Sequence, residues 1–410
     1  MNKRCWQLDK DLDSIREEFP ILSKCVYLIS NSLGAVPRQV REDLLAYYNL
    51  WSDQGVSAWN HEWWDLAGKV GDQVASLLHA EKNSIAMLSN ATQAHWIALS
   101  TQFLAKDRKR TKIIMTDHDF PSSLYAVQKI CEFMDWNVQV IQSNGKPGID
   151  IQHILDQIDD QTLFVATSHV YFKSAYVQDI AKIVDRARRM GAWTVIDGYH
   201  APGCIPVNLS ELDVDFYIGG CLKWLCGGPG NAFLYVKPDL AACVEPQLTG
   251  WLAHKSPFLF APDMEYTLGS YRFLSGTPPI PSLYTARSGI EIIDRIGVPQ
   301  LRQKSIRQTR QIIENSKQRD FDVFSPEEDT QRGGAVSVHL PHAYQIKQAL
   351  EKRQFKVDFR KGKNSDPDII RIGPHFYTKD DEIHSLFNAI DTIYATQEYR
   401  AFPKEIKHVT

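Results

Sequence analysis

Several features are missing from this 410-residue chain, and each absence closes off a class of function. The seven cysteines (Cys5, Cys25, Cys131, Cys204, Cys221, Cys226 and Cys243) contain no C-x-x-C pair. An odd, scattered set supports neither a zinc ribbon nor a disulfide framework, and a reducing cytoplasm is the expected compartment. No apolar run reaches the roughly 18 residues of a membrane span. The polar start, MNKRCWQLDKDLDSIREEFP, lacks the apolar core of a signal peptide. No membrane partner is therefore expected. Neither charge sign dominates: 46 Lys+Arg against 49 Asp+Glu leave a net −3, with no basic block. That balance does not suggest a phosphate-backbone tract, and no nucleic-acid partner is expected. "GKVGDQ" around Gly68 lacks the spacing of a phosphate-binding loop. His118, His169 and His254 do not fall at metal-ligand spacing, so no metal is expected.

What remains is an ordinary globular composition, 43% hydrophobic and 23% charged, in a chain long enough for two domains. Between about residues 83 and 236, short apolar runs alternate with helix-period segments. SIAMLS, KIIMTD, NVQVIQ, LFVATS, AWTVID, DFYIGG and AFLYV read as strands. ATQAHWIALSTQFL, PSSLYAVQKICEFM and VQDIAKIVDRARRMG read as the helices between them. In the last, Val177, Ile180, Ala181, Val184 and Ala187 share one face, Arg186, Arg188 and Arg189 suit the helix C-terminus, and Gly191 stops it. This alternation predicts an α/β fold with a mainly parallel central sheet. From about residue 285, long polar helices and a few short strands (AVSVHL, IIRIG) predict a smaller α+β C-terminal domain. The expected division is 36–284 for the large domain and 285–410 for the small one, with 1–35 packing against the latter.

Parallel α/β sheets bind ligands beyond the carboxyl ends of their strands. Asn90-Ala91-Thr92 follows the first strand and opens a helix, either as a simple N-cap or as a phosphate site. Phe120 follows the second strand, as core or as an aromatic ring at the sheet edge. Asp197 ends an apolar strand and is followed by Tyr199 and His200. An acid there caps the next segment or meets a cationic or hydrogen-bonding partner. Lys223 then stands alone in the apolar, glycine-rich stretch GGCLKWLCGGPGNAFLYV. A lysine in an apolar site has a lowered pKa, and as the neutral amine it attacks aldehydes. Lysine, acid and helix N-terminus together suit pyridoxal 5′-phosphate (PLP), which needs a Schiff-base lysine, an acid on its ring nitrogen and a phosphate site.

From about Tyr27 to Ile390 the chain resembles kynureninase and its class V aminotransferase relatives, PLP-dependent enzymes of the type I transferase fold. The resemblance rests on YLISNSLG, DFPSSLY, IDGYHAPGCIPVNLSELDVDFYIGGCLKWLCGGPG, TGWLAHKSPF and RFLSGTPPIPSLY. "SNAT" leans instead toward epimerase-like and desulfurase-like members. The resemblance implies that Lys223, Asp197 and His200 are catalytic and that Ala91 and Thr92 hold the phosphate. Phe120 would stack on the pyridine ring. Trp251 and Thr277 would reach the phosphate of the neighbouring subunit in a homodimer with a shared active site. Arg371 would grip the substrate α-carboxylate with its bidentate fork, and Asn31 would join it in substrate binding.

Two positions depart from the pattern. Leu222 stands where kynureninases usually carry a tyrosine, and Ser123 where they carry an aspartate. The expected function is PLP-dependent chemistry on an L-α-amino acid, with kynureninase-like side-chain cleavage ahead of a class V aminotransferase or another amino-acid enzyme. A non-catalytic PLP-binding protein has no need for Asp197, His200, Lys223 and Arg371 together. A desulfurase is disfavoured because no cysteine sits in an evident loop motif of that group. The tryptophans Trp59, Trp63 and Trp64 read as a substrate wall or as helix and dimer packing.

Overall fold

The computed structural model describes residues 6–104, 109–362 and 367–405. A two-residue strand, β1 (Val26–Tyr27), precedes a seven-stranded sheet built from β2 (Ile85–Leu88), β3 (Lys112–Thr116), β4 (Asn137–Ile141), β5 (Thr162–Ser168), β6 (Trp193–Asp197), β7 (Phe216–Gly220) and β8 (Ala232–Val236). The strand order is β2-β8-β7-β6-β5-β3-β4. Both faces of this sheet are covered, which is why its strands read as continuous apolar runs. Ile114, Val165, Ile196 and Tyr217 point into one core. Their neighbours Ile113, Phe164, Val195 and Phe216 point into the other. The helix Ile180–Met190 shows how the sequence sets its ends. Asp179 accepts a hydrogen bond from the Lys182 N–H at 3.2 Å, and Gly191 closes the helix with φ +70°.

The strands pair in parallel from β4 through β3, β5 and β6 to β7, but β8 runs antiparallel to both β7 and β2. The connection from Gly220 to Ala232 is too short for a crossover helix, so the chain has to turn back. That turn carries Lys223.

The remaining strands form a smaller unit. A four-stranded sheet, ordered β12-β13-β10-β9, joins β9 (Asp322–Val323), β10 (Val336–His339), β12 (Asp358–Arg360) and β13 (Ile369–Ile372). The short β11 (Phe355–Lys356) pairs in parallel with β1. A core containing Leu28, Ile312, Val338, Leu350, Phe359, Ile370 and Leu386 lies among these strands and their helices. The N-terminal segment is tied to this unit by the Arg16–Glu382 ion pair at 2.8 Å. Ser30 Oγ lies 2.7 Å from the Tyr377 hydroxyl, which also accepts from the Ala35 N–H at 3.2 Å. The helices Ile280–Ile296 and Val298–Lys317 are broken at Gly297, φ +84°. The first of them runs without a break across residues 284 and 285.

Two glycines set the position of the Lys223 turn by close approach. A methyl group at Gly34 would overlap the Lys223 carbonyl oxygen, and one at Gly289 would overlap the Leu225 carbonyl oxygen. Alanine favours a helix over glycine by about 1 kcal/mol, but at Gly289 the overlap is with backbone that cannot swing aside. Gly289→Ala should therefore lose about 2 kcal/mol net of stability. Gly276→Ala, where a methyl meets open space, should stay within about 0.5 kcal/mol. Thermal unfolding of the two variants side by side checks this, and equal melting temperatures would refute it.

Candidate active site

The carboxyl ends of the parallel strands and the β7–β8 turn enclose a cavity of about 250 Å3. Asn90, Ala91 and Thr92 line it from the segment after β2, and Phe120, Ser122 and Ser123 from the segment after β3. Ser168, Val170 and Phe172 come from the end of β5, and Asp197, Tyr199 and His200 from the end of β6. Leu222 and Lys223 close it from the turn. The structure thus brings Lys223, Asp197, His200, Ala91, Thr92 and Phe120 to one enclosure.

Lys223 Nζ lies 2.5 Å from His200 Nε2. Burial, reinforced by the Arg371 and Arg360 charges against opposing pulls from Asp197 and Asp358, lowers the amine's pKa to about 7. Burial, with the Lys223, Arg371 and Arg360 charges, pushes His200 well below the usual imidazole range. The pair is thus poised to be neutral, with a free amine lone pair available near pH 7. Asp197 is 7% exposed. One of its oxygens accepts from Ser123 Oγ at 3.0 Å and the other from the Tyr199 N–H at 2.9 Å. Ser123 is therefore the direct partner of the acid.

Arg371 and Asn31 are not among the residues that line this cavity. Arg371 is buried in β13, directly across from Asp358 in the antiparallel pairing of β12 with β13, and its guanidinium meets the carbonyl of the lining residue Phe172. Its Nε and Nη2 bind Asp358, and Nη1 donates to the Phe172 carbonyl. Arg360 Nη1 takes the second Asp358 oxygen at 2.7 Å. Asn31 is 1% exposed. Its side-chain oxygen and nitrogen have no hydrogen-bond partner, and it packs on Gly373, two residues beyond Arg371. A fully buried amide with both ends unmatched is the mark of a missing polar partner.

Trp251 and Thr277 do not line this cavity. Trp251 packs in an aromatic group with Trp64, at 6.0 Å, and Phe258, at 6.2 Å, while Thr277 is exposed. Trp63 stacks on Tyr47 at 5.4 Å, and Trp59 meets its edge. These tryptophans pack helices rather than wall the cavity. Sequence reasoning did not single out Tyr199, Phe172, Asp358 or Arg360. For Asp358 the only signal is an acid two residues before Arg360 around a single apolar residue, and its meaning depends on a register that the sequence does not display.

PLP fits these residues. Burial brings the pKa of the amine down to about 7, and a carboxyl group fixed by two donors lines the same cavity. The helix Ala91–Ser100 begins at the cavity with Asn90 capping Gln93 N–H at 2.9 Å. The Ala91 and Thr92 N–H groups, which have no intrahelical acceptor, are left for an anion. The wider comparison agrees. The model of the family described as aminotransferase class V matches residues 26–386. A kynureninase from Burkholderia pseudomallei is 29% identical over 409 residues, covering 96% of this chain and 95% of the relative. One from Pseudomonas fluorescens is 27% identical over 419 residues, covering 98% of each. Among solved structures, the apo cysteine desulfurase from Thermococcus onnurineus superposes with a TM-score of 0.84 at 20% identity, covering 96% of this chain and 100% of the other. A cystine C–S lyase, C-DES, solved with its product cysteine persulfide, gives 0.81 at 22% identity, covering 91% and 99%. The fold is the PLP-dependent type I transferase fold, and the cofactor is PLP.

The lowered pKa of Lys223 has a measurable consequence. Only the neutral amine has a lone pair, so PLP uptake by the cofactor-free protein, trapped with borohydride, should slow as pH falls through about 7. It should level off above that pH. A rate still climbing toward pH 10 would show an ordinary, solvated lysine.

Proposed function

This chain belongs to the class V aminotransferase family, and we propose that it is a PLP-dependent enzyme cleaving the side chain of an L-α-amino acid in the manner of a kynureninase. The observation that carries the reading is the Lys223–His200 contact inside the same cavity as Asp197. Lys223 would hold the cofactor through its aldehyde, Asp197 would serve its ring nitrogen and Phe120 its ring, and Ala91 and Thr92 would hold its phosphate. PLP, when bound, supplies a sink for the electron pair released at the substrate α-carbon.

The chain's own groups do the rest. Asp358 holds Nε and Nη2 of Arg371, so Arg371 receives the α-carboxylate at Nη1, the nitrogen that otherwise donates to the Phe172 carbonyl. Asn31, adjacent through Gly373, uses its unmatched amide on the same group. Lys223, once its amine is free, takes the α-proton, and His200 fixes the amine's position. Ser123 donates to one Asp197 oxygen and the Tyr199 N–H to the other, which fixes the carboxyl group in place at the cavity.

Side-chain cleavage is favoured over transfer to a protein thiol because no cysteine lines the cavity among the described residues. Cys221 and Cys226 flank Lys223 in sequence, but burial pushes both thiols up, Cys221 to about 12. Transamination, which shares the binding groups, is the second reading. The enzyme acts as a homodimer in which Trp251 and Thr277 serve the partner's phosphate. Exposed apolar residues near Trp251, including Phe258 and Phe260 at 60% and 75% exposure, support such a contact. The expected setting is cytoplasmic. Among the described residues no helix is long and apolar enough to cross a membrane.

The test is a screen of L-amino acids with products identified by mass spectrometry. Loss of a charge-assisted contact at Arg371→Leu should cost about 1.5–3 kcal/mol, raising KM by about one to two decades. Amines lacking the carboxylate should not respond. L-kynurenine should be cleaved slowly by the native enzyme and faster by Leu222→Tyr. A keto acid product with no shortened amino acid would replace cleavage with transamination.

A further inference from the structure

Two aromatic rings face the Lys223 amine. Nζ lies over the Phe120 ring, 5.9 Å from its centroid, and over the Tyr199 ring, 4.7 Å from its centroid. Both residues line the same cavity. They come from different elements, Phe120 from the start of the helix after β3 and Tyr199 from the turn after β6. Tyr199 is anchored by its backbone N–H on Asp197. Its hydroxyl makes no hydrogen bond among the described residues, so the ring and not the phenol oxygen settles its place. The space for that ring exists because β7 ends in Gly220. A methyl group there would overlap Tyr199 at Cε2, Cζ and the hydroxyl. Glycine within a strand marks a close approach of this kind.

We propose that Tyr199 is a second aromatic wall of the cofactor slot, alongside Phe120, and that Gly220 is the residue that admits it. A flat pyridine ring gains from each aromatic face it meets. A tyrosine in this place also removes water from around Lys223. The proposal rests on the reading that Lys223 holds PLP, and it concerns cofactor affinity rather than turnover.

The test is a double-mutant cycle read as the PLP dissociation constant, from quenching of intrinsic fluorescence, with thermal unfolding of each cofactor-free variant as a control for folding. Tyr199→Phe should bind PLP within about twofold of the native protein, and Tyr199→Ala about three- to tenfold more weakly. Gly220→Ala should weaken binding in the native background and cost nothing further beside Tyr199→Ala. Native-like affinity in Tyr199→Ala overturns the proposal. So does a Gly220→Ala penalty that is the same with and without the tyrosine ring. If Gly220→Ala does not fold, the contrast between Phe and Ala at 199 decides. Peptide mapping of borohydride-trapped PLP separates the two layers. Trapping at another lysine overturns the Lys223 assignment and the wall with it, whereas trapping at Lys223 with unchanged affinity in Tyr199→Ala overturns the wall alone.

Discussion

The site depends on keeping one lysine amine out of water. An ammonium in a low-dielectric enclosure is costly unless it is paired, and among the described residues Lys223 makes no ion pair, its contact being His200. Its nearest partner is an imidazole that is itself held neutral by burial. The short turn between β7 and β8 places the amine in the cavity, against His200. Gly34 on one side and Gly289 on the other press backbone to backbone against that turn. Burial is thus enforced by the two segments that clamp the loop, and reactivity follows from it.

The surrounding charges tune this without reversing it. Arg371 and Arg360 disfavour a further positive charge at Lys223, while Asp197 and Asp358 favour it. Asp358 is fully buried and binds both arginines, which allows two guanidiniums to sit near the amine at all. Removing one partner from such a buried group leaves an uncompensated charge, at about 3–5 kcal/mol. The carboxylate therefore orients Arg371 and also limits the field that Arg371 projects onto Lys223. On the proposed reading, a substrate carboxylate at Arg371 would add a negative charge beside this cluster and shift the balance toward the protonated amine, the state a lysine reaches after accepting a proton.

Much of this was legible in the residues because the relevant signals are local. Strand and helix alternation needs only periodicity, and Asp197, His200 and Lys223 mark themselves as polar residues at the ends of apolar runs. The antiparallel β8 was legible in principle from the length of the turn before it, although the alternation pattern alone suggests a further parallel strand. The partnerships of Ser123 with Asp197 and of Asp358 with Arg371 were not legible. The first joins two segments at a shared strand end, and the second depends on strand register. Ser123 reads in the sequence as a departure from a family pattern, whereas in the structure it is a hydrogen-bond donor in place. Tyr199 and Gly220 illustrate the same limit, since a glycine's purpose appears only when its neighbour in space is known.

The Tyr377 hydroxyl, bonded to Ser30 and Ala35, bears on how the molecule is made. Its two partners lie 347 and 342 residues away along the chain. Contacts of such sequence separation form late, because the loop they close must first lose its freedom. The segment bearing Asn31 and Gly34 is therefore anchored by Tyr377 only after the chain has been made through that residue. Until then the central sheet can form while the lysine turn still lacks one side of its clamp. Arrival of the Tyr377 segment is in this sense the step that completes the clamp around the lysine turn.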